Sequence, residues 1–284
     1  MNIDDIINED GDLQIDSQLL ESDLISMDQV MPDELHIIPV RYRPIFPGIV
    51  TPLIISQERF CDSIDMVLDT SRTIGISLLK DDEAEDIEPD DLHLYGSAAR
   101  VLKKINLPDG GINVLINSVK RFRIKQITNE SPHIIADVEY LDEKSSNRNV
   151  EIKALTRAVL SQLKILSENN PLFTEEMKLT MVNVDEPGKI ADFVTSILTL
   201  EKHEYQDILE TINVKKRLEK VLHLLHKEIE VFSIQKKIQS NINDKIDRQQ
   251  RDFFLREQLR AIKSELGIDE DDRTREIKEM AEKL

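Results

Sequence analysis

The chain has 284 residues, a formal net charge of −18, one cysteine and no tryptophan. It is long enough for one to three domains with a buried core. No run approaches ~20 apolar residues, the length a membrane-spanning helix needs, and Cys61 alone forms no intrachain disulfide, which fits a reducing cytoplasm. The start, MNIDDIINEDGD, has neither the basic region nor the apolar run of a secretory signal.

Residues 1–34 hold eleven Asp and Glu and no Lys or Arg, which leaves −7 for the other 250 residues. Such a segment buries too little apolar surface to fold alone and reads as an acidic disordered tail, with a docking or autoinhibitory role as the alternative. A second acidic block, DDEAEDIEPDD at 81–91, reads as a solvated loop, and the last fifty residues are neutral by count. This balance repels phosphate and argues against a nucleic-acid partner.

From residue 35 to 142 the segments are short, β-branched and punctuated by turns. LHIIPVR (35–41) reads as a strand that Pro39 pushes toward a sheet edge or a bend. Ser56 is placed to cap a helix with Phe60, Ile64, Val67 and Leu68 at helical spacing. TIGISLLK (73–80) reads as a buried strand. LPDGG joins two apolar strands as a hairpin, Pro108 presetting the turn and Gly110 or Gly111 taking a positive φ. HIIADVEY (133–140) is a further strand. RPIFPGIVTPL (43–53) breaks its backbone with Pro44, Pro47 and Pro52 and cannot lie wholly inside a paired strand.

LDEKSSNRNV (141–150) is a polar linker, after which the period becomes helical. Residues 151–168, 174–184, 187–200 and 203–212 read as helices, Pro187 in a first turn where its missing N–H costs nothing. The stretch Asn213–Leu266 has no Pro or Gly, can be capped by Asn213 and ended by Gly267, and would span roughly 80 Å if unbroken. Leu218, Val221, Leu225, Ile229 and Phe232 keep a coiled-coil-like spacing, whereas 243–252 is nearly all polar and is the expected site of a bend. The predicted division is an acidic tail (1–34), a β-rich part (35–142), a helical part (143–212), a long helix (213–267) and the start of a further segment (268–284).

No phosphate-binding GxxxxGK[ST] or GxGxxG loop, G-x-S-x-G elbow or Cys/His metal cluster occurs. His223 and His226 lie at i, i+3 without an evident third ligand, and Cys61 reads as a small buried hydrophobe rather than a nucleophile. The arginines of KRFRI (120–124) are expected on a strand's open face. No catalytic, cofactor or metal site is expected in this segment.

IIPVRYRPIFPGIVTPLII resembles the opening of the N-terminal, substrate-binding domain of the Lon family of ATP-dependent serine proteases, and DDLHLYGSAARVLKKINLPDGGINVLI resembles its next hallmark. EPGKIADFVTSIL, LETINVKKRLEKVLHLLHKEIEV and QRDFFLREQLRAIKSELG continue the similarity, unbroken over about residues 35–268. The resemblance implies an α+β fold: a small, mostly antiparallel, PUA-like β-domain with one inserted helix, then an α-helical bundle and a long C-terminal helix. It implies a segment of a cytoplasmic homohexamer that binds unfolded or damaged proteins, with ATP, Mg²⁺ and a Ser–Lys dyad at modules beyond it. Two departures stand out: the acidic head, and Phe253–Phe254 where relatives tend to carry tyrosines. A stand-alone, non-proteolytic adaptor with the same β-domain is the alternative, and a structural coiled-coil protein a second.

Two apolar groups are the candidate substrate contacts. Ile45, Phe46, Pro47 and Ile49 sit on a proline-stiffened loop that loses little entropy on binding, although Phe46 can equally plug the sheet's own core. Phe253, Phe254 and Leu255 sit on the long helix, where packing on a sister subunit is the competing role. No membrane and no nucleic-acid partner is expected through this segment.

Overall fold

The protein was analysed as a computed structural model that describes residues 31–82, 86–108, 110–143, 150–169 and 186–266. The expected helix 174–184, the segment 268–284 and all but the end of the acidic tail lie outside the described residues. The chain divides into two compact units, one running to Leu222 and the other beginning at His223.

The first unit is built on six strands: β1 (Glu34–Val40), β2 (Val50–Ile55), β3 (Thr73–Leu79), β4 (Leu92–Asn106), β5 (Ile112–Asn129) and β6 (Ile135–Tyr140). Their order is β2-β5-β4-β3-β1-β6, and an additional β5–β6 pairing closes five of them into a barrel. The β1–β3 pair is parallel and the others are antiparallel, as expected for a mostly antiparallel domain. β5 is long enough to take two partners on the edge away from β4: β2 along Ile112–Asn117 and β6 along Phe122–Asn129.

Buried apolar side chains explain the closure. Every residue of β3 is buried, and Leu35, Ile37, Ile76, Ile116, Phe122 and Val138 join one cluster inside the barrel. The hairpin between β4 and β5 forms as the sequence predicts, with Gly110 at φ +89. β1 differs from expectation, because it lies between β3 and β6 rather than at an edge. β6 pairs only Glu34–His36, and the Ile37 N–H points to that side, donating to the Ile134 carbonyl at 2.8 Å. Two residues on, the donor that Pro39 lacks would face the side where β6 has ended, so no ladder bond is lost.

Helix α1 (Glu58–Leu68) is inserted between β2 and β3 and buries Phe60, Cys61, Ile64 and Val67. It begins after Gln57, one residue later than the Ser56 cap expected, with no side-chain cap. Beyond β6 come α2 (Val150–Asn169), α3 (Pro187–Ile197) and α4 (Lys202–Glu210). Pro187 opens α3 as predicted, and a Glu201–Glu204 capping box opens α4. Helix α5 (Val214–Glu265) begins where Asn213 Oδ1 accepts from the Lys216 N–H at 3.1 Å. The first unit includes its initial turns, where Val214, Leu218 and Val221 are buried.

In the second unit α5 continues to Glu265 without a break in its secondary structure, the polar stretch 243–252 included. That polar stretch keeps good helix formers such as Lys245, Arg248, Gln249, Gln250 and Arg251 and has no Gly or Pro to end the ladder. From Ser233 to Leu266 every residue is exposed.

Candidate functional site

The proline-rich stretch becomes the loop Arg41–Ile49 and strand β2. Gly48 adopts φ +84, and its N–H donates to the Ser118 carbonyl at 2.7 Å while the Ser118 N–H donates to the Ile49 carbonyl at 3.0 Å. The turn is thus pinned to β5. Pro44 and Phe46 then face inward, and Phe46 is 2% exposed. Its expected role as a ligand contact is corrected on that ground: its ring belongs to the interior, as the competing plug reading has it. Ile45, Pro47 and Ile49 are partly exposed, and Ile45 packs against the core cluster.

More open to solvent are Tyr42 in the loop and two residues of β2, which follows it. Tyr42 is 78% exposed, Val50 44% and Ile54 70%. On β2 the inward residues Thr51, Leu53 and Ile55 alternate with the outward residues Val50, Pro52 and Ile54. Opposite these three on β5 stand Asn117, Leu115 and Asn113, and opposite those on β4 stand Arg100, Lys103 and Ile105. This outer face combines five apolar residues with two cations and carries no carboxylate. The alternation of VTPLII is the sequence signal for it, masked by the attention that Pro52 draws.

In the second unit Phe253, Phe254 and Leu255 are all more than half exposed. Successive helical residues point about 100° apart, so the three share no single face. Phe253 instead continues a stripe with Val231, Ile234, Ile238, Ile242 and Ile246, whereas Leu255 continues with Leu259, Ile262 and Leu266. By the same rotation the second stripe lies roughly a third of a turn around the helix from the first.

Arg121 departs most from expectation. It is not on an open face but 2% exposed, a surprise that KRFRI alone cannot reveal because its partners come late in the chain. Its guanidinium pairs end-on with Asp192 through Nη1 and Nη2 at 2.7 and 2.5 Å, donates to Glu143 at 2.9 Å and, through Nε, donates to the Leu209 carbonyl at 3.0 Å. Arg217, fully buried, bonds Glu143 at 2.5 Å and Asp192 at 3.2 Å and the carbonyls of Thr211 and Ile212. Two cations and two carboxylates thus tie β5, the chain after β6, α3, the end of α4 and the first turns of α5. Gly188 leaves room for this: a Cβ there would lie 1.9 Å from Glu143 Oε2. Arg123, by contrast, is exposed and lies 6.0 Å from the Tyr95 ring.

Among the ionisable groups with shifted pKa values are His36, His93 and Cys61. His36 lies 5.9 Å from His133, ring to ring; burial first and the neighbouring His133 second push its pKa down. His133 Nδ1 donates to the Arg59 carbonyl at 3.0 Å. Burial also lowers His93, despite Glu210 at 3.7 Å, and raises the Cys61 thiol. Among the described residues no three His, Cys, Asp or Glu converge as metal ligands, and no helix is long and apolar enough to cross a membrane.

Residues 34–227 match the substrate-binding domain of ATP-dependent protease La (LON). The chain belongs to this Lon family. It is 47% identical over 268 residues to a Lon protease of Leptospira interrogans, covering 94% of this chain and 32% of that protein. It is 47% identical over 253 residues to a Lon protease of Treponema pallidum, covering 89% and 29%. The chain therefore spans about a third of the length of these relatives. In fold it is similar to the N-terminal domain of the Mycobacterium avium complex Lon protease, with a TM-score of 0.57, 20% identity, and 68% of this chain and 98% of that one covered.

Proposed function

We propose that this chain is the substrate-recognition and assembly region of a Lon-type ATP-dependent serine protease that degrades misfolded and short-lived regulatory proteins. The match of residues 34–227 to the family's substrate-binding domain carries the reading, and the exposed apolar surfaces supply places where it acts. Unfolded chains differ from folded ones chiefly in exposed apolar side chains and unpaired backbone. The outer face at Val50, Pro52 and Ile54 and the stripes of α5 offer sequence-tolerant contact to both.

On this reading bond cleavage belongs to other modules of a longer, cytoplasmic, homohexameric protein, and ATP and Mg²⁺ act there. The buried four-charge cluster holds the first turns of α5 against the barrel, and the bare stripes further along serve self-association. The test is capture of a reduced and alkylated, permanently unfolded protein by the purified chain. Binding that weakens several-fold in Ile54→Ser and in Phe253→Ser/Phe254→Ser supports the reading. Indifference to both, with folding intact, overturns the placement, and no binding by the parent chain overturns the function.

A further inference from the structure

Charge divides the outer face of β2, β5 and β4 into two halves. Burial alternates along its middle strand, where Asn113, Leu115 and Asn117 are half-buried between the buried Ile112, Val114, Ile116 and Ser118, so one side of the sheet is open over three strands. Strands lie about 4.8 Å apart and residues rise about 3.4 Å, so the face measures roughly 10 by 13 Å, room for an extended segment of about five residues. Along β2 it is apolar, with Val50, Pro52 and Ile54 all exposed.

Along β4 it is cationic. Lys103 is exposed opposite Leu115, and Arg100 stands opposite Asn117. The backbone of the exposed Arg72 lies alongside, its carbonyl accepting the Val101 N–H at 2.8 Å. Lys104, by contrast, stands opposite the inward Val114 and pairs with Asp65 of α1, so that carboxylate serves the other side of the sheet. None of the outward residues on these three strands is acidic.

Charge also separates the possible occupants. A second copy docked about a two-fold axis would set this patch against itself, cation against cation, which disfavours it. A segment with apolar residues for β2 and carboxylates for β4 complements both halves. The net charge of the chain, −18, would by itself favour basic segments, so the local face and the whole molecule call for opposite preferences.

We propose that this face takes short unstructured segments in which Asp or Glu accompany the apolar residues, and that Lys103 and Arg100 set that preference. This rests on the recognition function proposed above and narrows its substrates by the charge beside their apolar side chains.

Fluorescence anisotropy on the 284-residue chain tests it, with two labelled, short, unstructured peptides identical in their apolar residues, one carrying aspartates between them and the other lysines. The aspartate peptide is expected to bind about fivefold tighter at low salt, the gap closing as salt is raised. Lys103→Glu should close the gap without moving the melting temperature, Lys103→Gln should narrow it, and Ile54→Ser should weaken both peptides. Equal binding of the two peptides, or tighter binding of the lysine peptide, overturns the preference and leaves the recognition function standing. A gap that survives Lys103→Glu has its charge elsewhere and overturns it too. Binding of neither peptide overturns the preference and the recognition function together.

Discussion

At the residue scale, Phe46 and Ile54 divide the roles that the proline-rich stretch seemed to combine. Phe46 is interior and Ile54 largely in solvent. Phe46→Ser should cost about 3–5 kcal/mol through lost burial and the space left behind, whereas Ile54→Ser should change stability by less than about 0.5 kcal/mol. Urea denaturation of the two variants checks this, and comparable losses would contradict the placement. Asp192 sits between two buried guanidinium groups, and Asp192→Ala leaves both to share Glu143 as their one carboxylate, an expected loss of about 3–5 kcal/mol. Lys215→Ala, which breaks an exposed pair with Glu151, should leave the midpoint where it was. His36 and His93 both have pKa values below the ordinary 6.5. The unfolded chain therefore takes up protons first on acidification, and the stability of the neutral forms, present above pH 6.5, is lost as the pH falls toward the lowered values. Melting temperature should drop over that window and drop less in His36→Gln; a flat profile would contradict the assignment.

At the element scale, what was legible was what local chemistry decides. LPDGG dictates a tight turn by itself, Pro187 and Asn213 mark helix starts by their own bonding limits, and TIGISLL is apolar at every position except Thr73 and Ser77. What long-range partners decide was not legible. KRFRI has the polar alternation of an exposed strand, and only Asp192 and Arg217, placed by the fold, turn Arg121 inward. Pro39 was read as an edge marker because a sequence does not show that β6 stops at His36. Gly48, at φ +84 with open space around it, holds the turn that buries Phe46. Gly48→Ala should cost about 1 kcal/mol from backbone strain alone, read in the same denaturation experiment. On α5 the stripe from Val231 to Phe253 has no covering partner among the described residues, so Ile242→Asp should weaken self-association without altering the first unit's melting. Sedimentation at several concentrations decides it, and a parent chain that is monomeric throughout would contradict it.

For the molecule as a whole, the barrel, the helices after it and the long helix were foreseen in order, and the family assignment agrees with them. Of the candidate site, the exposure of Phe253, Phe254 and Leu255 follows the helical pattern, whereas the burial of Phe46 depends on the turn at Gly48 and its bonds to Ser118, which the sequence does not show. The exposed apolar residues of β2 and of the bare part of α5 are where the proposed holding of unstructured chains is tested. The direct measurement is equilibrium binding of one protein in two states, native and permanently unfolded, to this chain. The unfolded form should bind and the native form should not, with the difference diminished in Ile54→Ser combined with Phe253→Ser. Equal affinity for the two states, or none for either, would contradict the account.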